Sequence, residues 1–213
     1  MKRNFGDTVA REVSGRIATP VATLTELKAI PADSRVHGMR VLNLADFSTW
    51  FFHSTSVVVG DDILVATPSA GSGAWLRGPG GANLVLPFTF ATADAAVLLT
   101  MPTGAIFQPI EFAWRVTSGF TGGSSSAIGV SSAKTGFTTK GDLLGGAGGD
   151  VAATLVAGNT ILGTIGGKWA TIANRRGLWV AGDTFRFDRI TSAFTAGVGA
   201  AVVAGILLEN AGA

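Results

Sequence analysis

Apolar and polar positions change rhythm along this chain, and the changes predict its elements. Over residues 1–19 the apolar residues Phe5, Val9, Val13 and Ile17 recur every fourth position. On a helix that spacing makes one narrow stripe, although Gly15 weakens the helix by about 1 kcal/mol. One stripe cannot build a core, so residues 1–19 read either as an arm that docks its stripe on its own domain or a partner, or as a frayed terminus. A short helix follows. Thr23 and Glu26 form a capping-box pair, Leu24, Leu27 and Ile30 supply a buried side, and Pro31 stops it.

From Met39 the period shortens. "MRVLNL" (39–44), "TWFF" (49–52), "SVVV" (56–59) and "ILVA" (63–66) are short apolar runs parted by Asp, Gly and Ser. They read as four strands, with Gly60, Asp61 and Asp62 as a hairpin turn between the last two. Beyond a glycine cluster at 78–81 the alternation lengthens. Leu84, Leu86, Phe88 and Phe90 share one face, as do Ile110, Phe112, Trp114 and Val116, with Glu111, Ala113, Arg115 and Thr117 opposite. Phe185 and Phe187 oppose Thr184, Arg186 and Asp188. In the run 198–208 both faces are apolar, which predicts a strand covered on both sides. The fold class that follows is mainly β: an arm (1–19), a small helix-plus-strands module (20–77), and an antiparallel β-sandwich or jelly roll (82–213).

Composition sharpens this picture. The 213 residues are 47% hydrophobic and 14% charged, against about 25% charged for a typical soluble domain. Surplus apolar residues without long helices go to several sheet faces or to subunit contacts, and thirty glycines supply turns. A pI near 9.4 suggests a basic protein, yet the net charge is only +2. With no Cys, no Tyr and two His, little titrates between neutrality and the lysine range, and that inflates the pI. No Lys/Arg run exceeds two residues, so a nucleic-acid partner is not expected. The most apolar stretch, 194–208, carries three glycines and falls short of the roughly 20 residues a spanning helix needs. No membrane partner is expected. The start "MKRNFGDTVAREV" is basic but lacks an apolar core, which predicts no export by a signal peptide.

Candidate chemistry is sparse. The loop Gly71-Ser72-Gly73 lacks the third glycine of a dinucleotide fingerprint and leads into a strand, so no helix N-terminus awaits a phosphate. "GVSSAKTG" (129–136) has Ala133 where a phosphate loop needs glycine. "GGAGGDVA" (145–152) is a single copy of a calcium repeat that works only when stacked. A Ser-His-Asp site would have to use His37 or His53, and no GxSxG elbow occurs. Both histidines read as turn or core-edge residues. The pair Asp61-Asp62 sits in a predicted turn, where Asp bonds locally. The five tryptophans, Trp50, Trp75, Trp114, Trp169 and Trp179, could stack on sugars, but core packing is their default. No catalytic, cofactor-binding or metal-ligating residue is assigned, and no cofactor is expected.

The stretch 19–77 resembles a small module of tailed-bacteriophage virion proteins. The matching elements are the helix ending at Pro31, the "G-M-R-V" strand at 38–41, the aromatic strand at 50–52, and "P-x-x-G-x-G-x-W-L-R" from Pro68 to Arg77. Where the module usually has arginine before the tryptophan, this chain has Ala74. Residues 82–213 are similar in pattern to β-sandwich domains of phage heads and tail fibres, through "LLTMPTGAIFQPIEFAW" and "FTAGVGAAVVAGILL". The resemblance implies a virion surface protein, commonly a homotrimer. The expectation is a non-enzymatic capsid decoration (cement) or head-fibre subunit, assembled in the host cytoplasm. Its partners would be the major capsid protein or other virion proteins, docked through Phe5, Val9, Val13 and Ile17. The alternative is a tail-associated receptor-binding protein whose exposed tryptophans contact host glycan. An enzyme cleaving a surface polysaccharide is the third class.

Overall fold

The computed structural model describes residues 20–122, 127–145, 160–162, 164–165, 177–190 and 194–210. The arm residues Phe5, Val9, Val13 and Ile17, and also Trp169, lie outside them. Among the described residues the fold is mainly β, with three antiparallel sheets and one α-helix. Two compact units divide between Pro79 and Gly80. The first comprises the described residues of Met1–Pro79, Pro102–Ala105 and Glu209–Ala213, the second those of Gly80–Met101 and Ile106–Leu208. The first unit thus takes in two segments that the sequence placed with the sandwich.

In the first unit, α1 (Leu24–Ala29) begins where Thr23 Oγ1 accepts from the Glu26 N–H at 3.2 Å. The Glu26 carboxylate reaches back to the Ala22 N–H at 2.7 Å, one residue before the expected capping-box partner. Strands β1 (Arg40–Asn43), β2 (Ser48–His53), β3 (Val65–Ala66) and β4 (Ala74–Arg77) form a sheet in the order β1-β2-β4-β3. Alternation on β2 turns Trp50 and Phe52 inward. They join Leu27, Met39, Val41, Ala66 and Trp75 in one small core, with Val21, Leu24 and Ile30 packed at its edge.

The run "SVVV" is not a strand. Val57 and Val59 are 88% and 86% exposed, and no strand among the described residues pairs with this segment. The turn after it is built by Asp61, whose Oδ1 accepts from the N–H groups of Ile63, Leu64 and Val65 at 2.8, 2.7 and 3.0 Å. It therefore opens a two-residue strand rather than closing a hairpin.

In the second unit, β5 (Gly80–Thr89), β7 (Ala105–Thr121), β10 (Thr160–Leu162) and β13 (Ala196–Asn210) form a sheet in the order β10-β7-β13-β5. The other sheet runs β11-β9-β8-β12-β6, from β6 (Ala96–Thr100), β8 (Ala127–Ser131), β9 (Leu144–Gly145), β11 (Thr164–Ile165) and β12 (Thr184–Ile190). Aromatic rings join the sheets face to face. Phe88 of β5 stacks on Phe187 of β12 at 4.7 Å, and Phe107 and Phe112 of β7 meet Phe185 edge-on. The arrangement is sandwich-like.

Two details depart from the sequence pattern. On β7, Ala105, Phe107 and Pro109 are buried, and then Phe112, Trp114 and Val116. The alternation slips by one at Ile110 and Glu111, so Ile110 is 54% exposed instead of sharing the inward face. On β13, Ala201, Val203, Gly205 and Leu207 are buried, while Val198, Ile206 and Leu208 are substantially exposed. One face of that strand is covered, not both.

Candidate functional site

The glycine loop of residues 68–73 is a turn with a steric reason for each glycine. Gly71 and Gly73 have φ of +77° and +92°, where L side chains are disfavoured. A Cβ on Gly73 would stand 2.7 Å from the Phe52 ring and 2.8 Å from the His53 carbonyl. The chain emerges on Trp75, fully buried with its ring 5.1 Å from that of Phe52. Arg77, at the end of the same stretch, is also buried. It pairs with Asp46 at 3.1 Å and donates to the Ile63 carbonyl. Burial pulls its guanidinium below the ordinary range, and Asp46 offsets part of that. The motif's tryptophan and arginine both serve the core of this unit.

The two histidines come together, which the sequence does not reveal. Their ring centroids are 4.6 Å apart, edge to face. The Ser54 N–H points at His37 Nδ1 (3.3 Å), and the Ser54 hydroxyl lies 3.2 Å from the same atom. A nucleophilic serine needs its base oriented by a third group. Among the described residues no carboxylate bonds to either imidazole, and no cluster of three His, Asp or Glu could hold a metal ion. His37 lies just before β1 and His53 at the end of β2, so sheet pairing alone brings them into contact.

Trp50, Trp75, Trp114 and Trp179 are all buried, so none of the described tryptophans offers a face to a sugar. No helix of the described residues is long and apolar enough to cross a membrane.

In the second unit a buried carboxylate, Asp188 on β12, ties three segments together. It accepts from the Ser131 hydroxyl at 2.7 Å and from the Gly141 N–H at 2.9 Å. The sequence placed Asp188 on the strand face opposite Phe185 and Phe187, and residues around Gly141 cover it there. Burial raises its carboxyl above the usual range, and the Ser131 and Gly141 bonds pull it part of the way back. The folded chain therefore holds this proton more tightly than the unfolded one. Its contribution to stability is full below the unfolded value near 3.8 and is lost as pH rises through the raised one. Urea midpoints measured against pH should show that fall in the wild type and not in Asp188→Asn. The amide can still accept from Gly141 and donate to Ser131, so Asp188→Asn should match or exceed the wild type above the transition. Asp188→Ala leaves the Gly141 N–H buried without an acceptor and should cost about 1–3 kcal/mol.

No protein-family profile, no curated protein and no solved structure matches the chain.

Proposed function

We propose that the protein is a non-enzymatic structural component of a tailed-phage virion, a capsid decoration or head-fibre subunit that packs against copies of itself and against the capsid protein. The observation that carries this reading is the apolar outward face of the neighbouring strands β13 and β5, bordered on β7 by Ile110 and by the exposed charges Glu111 and Arg115. Ile110, Val85, Val198, Ile206 and Leu208 are each more than a third exposed there, and Val202 pairs with Val85 across the ladder. The outward positions of β5 (Asn83, Val85, Pro87, Thr89) and of β13 from Val198 to Leu208 carry no charge. An uncharged, largely apolar strand face of this kind suits contact with other chains. The resemblance of the 19–77 stretch to phage virion modules points to the same setting. None of the four described tryptophans supplies the stacking platform that the glycan-binding alternative calls for.

The attachment is assigned to the arm. Burying Phe5, Val9, Val13 and Ile17 would contribute several kcal/mol at roughly 25 cal/mol per Å², and exposed ion pairs from its basic residues only about 0–1 kcal/mol each. Deleting residues 1–19 should leave a folded protein that no longer co-sediments with empty heads lacking the native copy. Val9→Asp combined with Val13→Asp should do the same, and Arg11→Ala should have little effect. Retention of the truncated protein would move the attachment to another region. Gold labelling of this protein at the tail in electron micrographs would overturn the head assignment in favour of receptor binding.

A further inference from the structure

Arg35 is 7% exposed. Its Nη2 donates to the Ala70 carbonyl, and its guanidinium carbon lies 5.1 Å above the Phe52 ring. Nε and Nη1 are buried and have no hydrogen-bond partner, and none of the ion pairs among the described residues includes this side chain. A guanidinium cannot shed its proton to escape burial. An uncompensated buried charge is costly, and buried donors are almost always partnered. Water would satisfy the donors but not the charge.

The glycine loop crosses this group. A Cβ at Gly71 would stand 2.7 Å from Nη2, so the loop passes directly over the arginine, at a backbone φ of +77° that favours glycine. Ser69, Ala70, Gly71 and Ser72 are all exposed, so the cover on that side is a thin strip of small residues. We propose that Arg35 is an oxyanion-binding residue, taking a phosphate or carboxylate group on its unpaired Nε–H and Nη1–H when the 69–72 loop shifts outward. Charge-assisted bonds from a guanidinium to such oxygens are among the strongest available. The loop, which has no helix behind it to hold a phosphate, would gain one from the arginine beneath. This inference is independent of the virion assignment.

The test is a titration of the full chain, nitrogen-labelled, with sodium phosphate and with sodium acetate, each against sodium chloride at matched ionic strength. The Arg35 Nε–H resonance, assigned by its absence in Arg35→Lys, should move saturably and the melting temperature should rise with it. A response to phosphate alone identifies a tetrahedral ligand, and a response to acetate a carboxylate. Arg35→Met should lose the response and melt no lower than the wild type in chloride, having shed an unpaired charge. If Arg35→Met does not fold, the wild-type titration decides alone. A resonance that neither anion moves, a shift that chloride reproduces, or a response that survives in Arg35→Met would overturn the proposal.

Discussion

Trp75→Ala is expected to dismantle the core of the first unit while leaving the second folded. Trp75 is fully buried, and no larger side chain joins the cluster of Leu27, Met39, Val41, Trp50, Phe52 and Ala66. Removing a buried tryptophan costs about 3–5 kcal/mol in transfer and cavity terms. Whole domains are stable by about 5–15 kcal/mol, and a core this small has little in reserve. Amide exchange in β1 and β2 should accelerate by about two to three and a half powers of ten, since 1.4 kcal/mol is tenfold. Amides of β8 and β12 should be unaffected. Trp75→Phe should lose far less, because it keeps most of the ring volume and removes an indole N–H that has no partner in the core. Equal acceleration in both units would refute the division at Gly80.

Gly205→Val is expected to be the most damaging single substitution in the second unit. Gly205 sits on the inward face of β13, and a Cβ there would collide with the Phe107 ring and the Gln108 carbonyl. Phe107 is fully buried against Phe185, and its backbone bridges to Trp179 through paired bonds of 2.9 and 2.7 Å. The ring cannot swing aside without opening that core. Overpacking of this kind costs about 1–3 kcal/mol, and here backbone must move as well, which places the loss at the upper end or beyond. Gly197 and Gly199 lie on the same face and make room in the same way for Phe120 and Phe88. Gly81→Ala is the control. Nothing lies within 4 Å of its Cβ position, and the change should be neutral or stabilise by about 0.4–1 kcal/mol. Urea midpoints of the two variants would decide whether spacing or mere glycine content governs this strand.

These glycines show what the sequence carried and what it withheld. Alternation found the inward residues of β5 and the middle of β7, and the Thr23–Glu26 pair found the helix start, because each is a local signal. The slip at Ile110 and Glu111 was not legible, since a one-residue shift in facing leaves the count of apolar residues unchanged. "SVVV" was overread for the related reason that β-branched composition is not a pairing partner. The covered side of Asp188, the contact between His37 and His53, and the isolation of Arg35 all depend on segments far apart in sequence. For Arg35 the covering glycine loop lies 35 positions away at Ala70, and nothing in its spacing named the side chain beneath.

Asn210, the last residue of β13, belongs to the first unit, where its side-chain amide donates to the carbonyls of Leu64 at 2.9 Å and Arg77 at 3.1 Å. Asn210 and Leu64 are 146 positions apart. During synthesis, helix α1 and strands β1 to β4 leave the ribosome long before the residue that caps two of their carbonyls exists. The unit made first is therefore completed last. Until then the Leu64 carbonyl has the Arg77 N–H at 2.9 Å but not its second donor, the Arg77 carbonyl lacks its Asn210 donor, and the order of translation is the reverse of the order of closure.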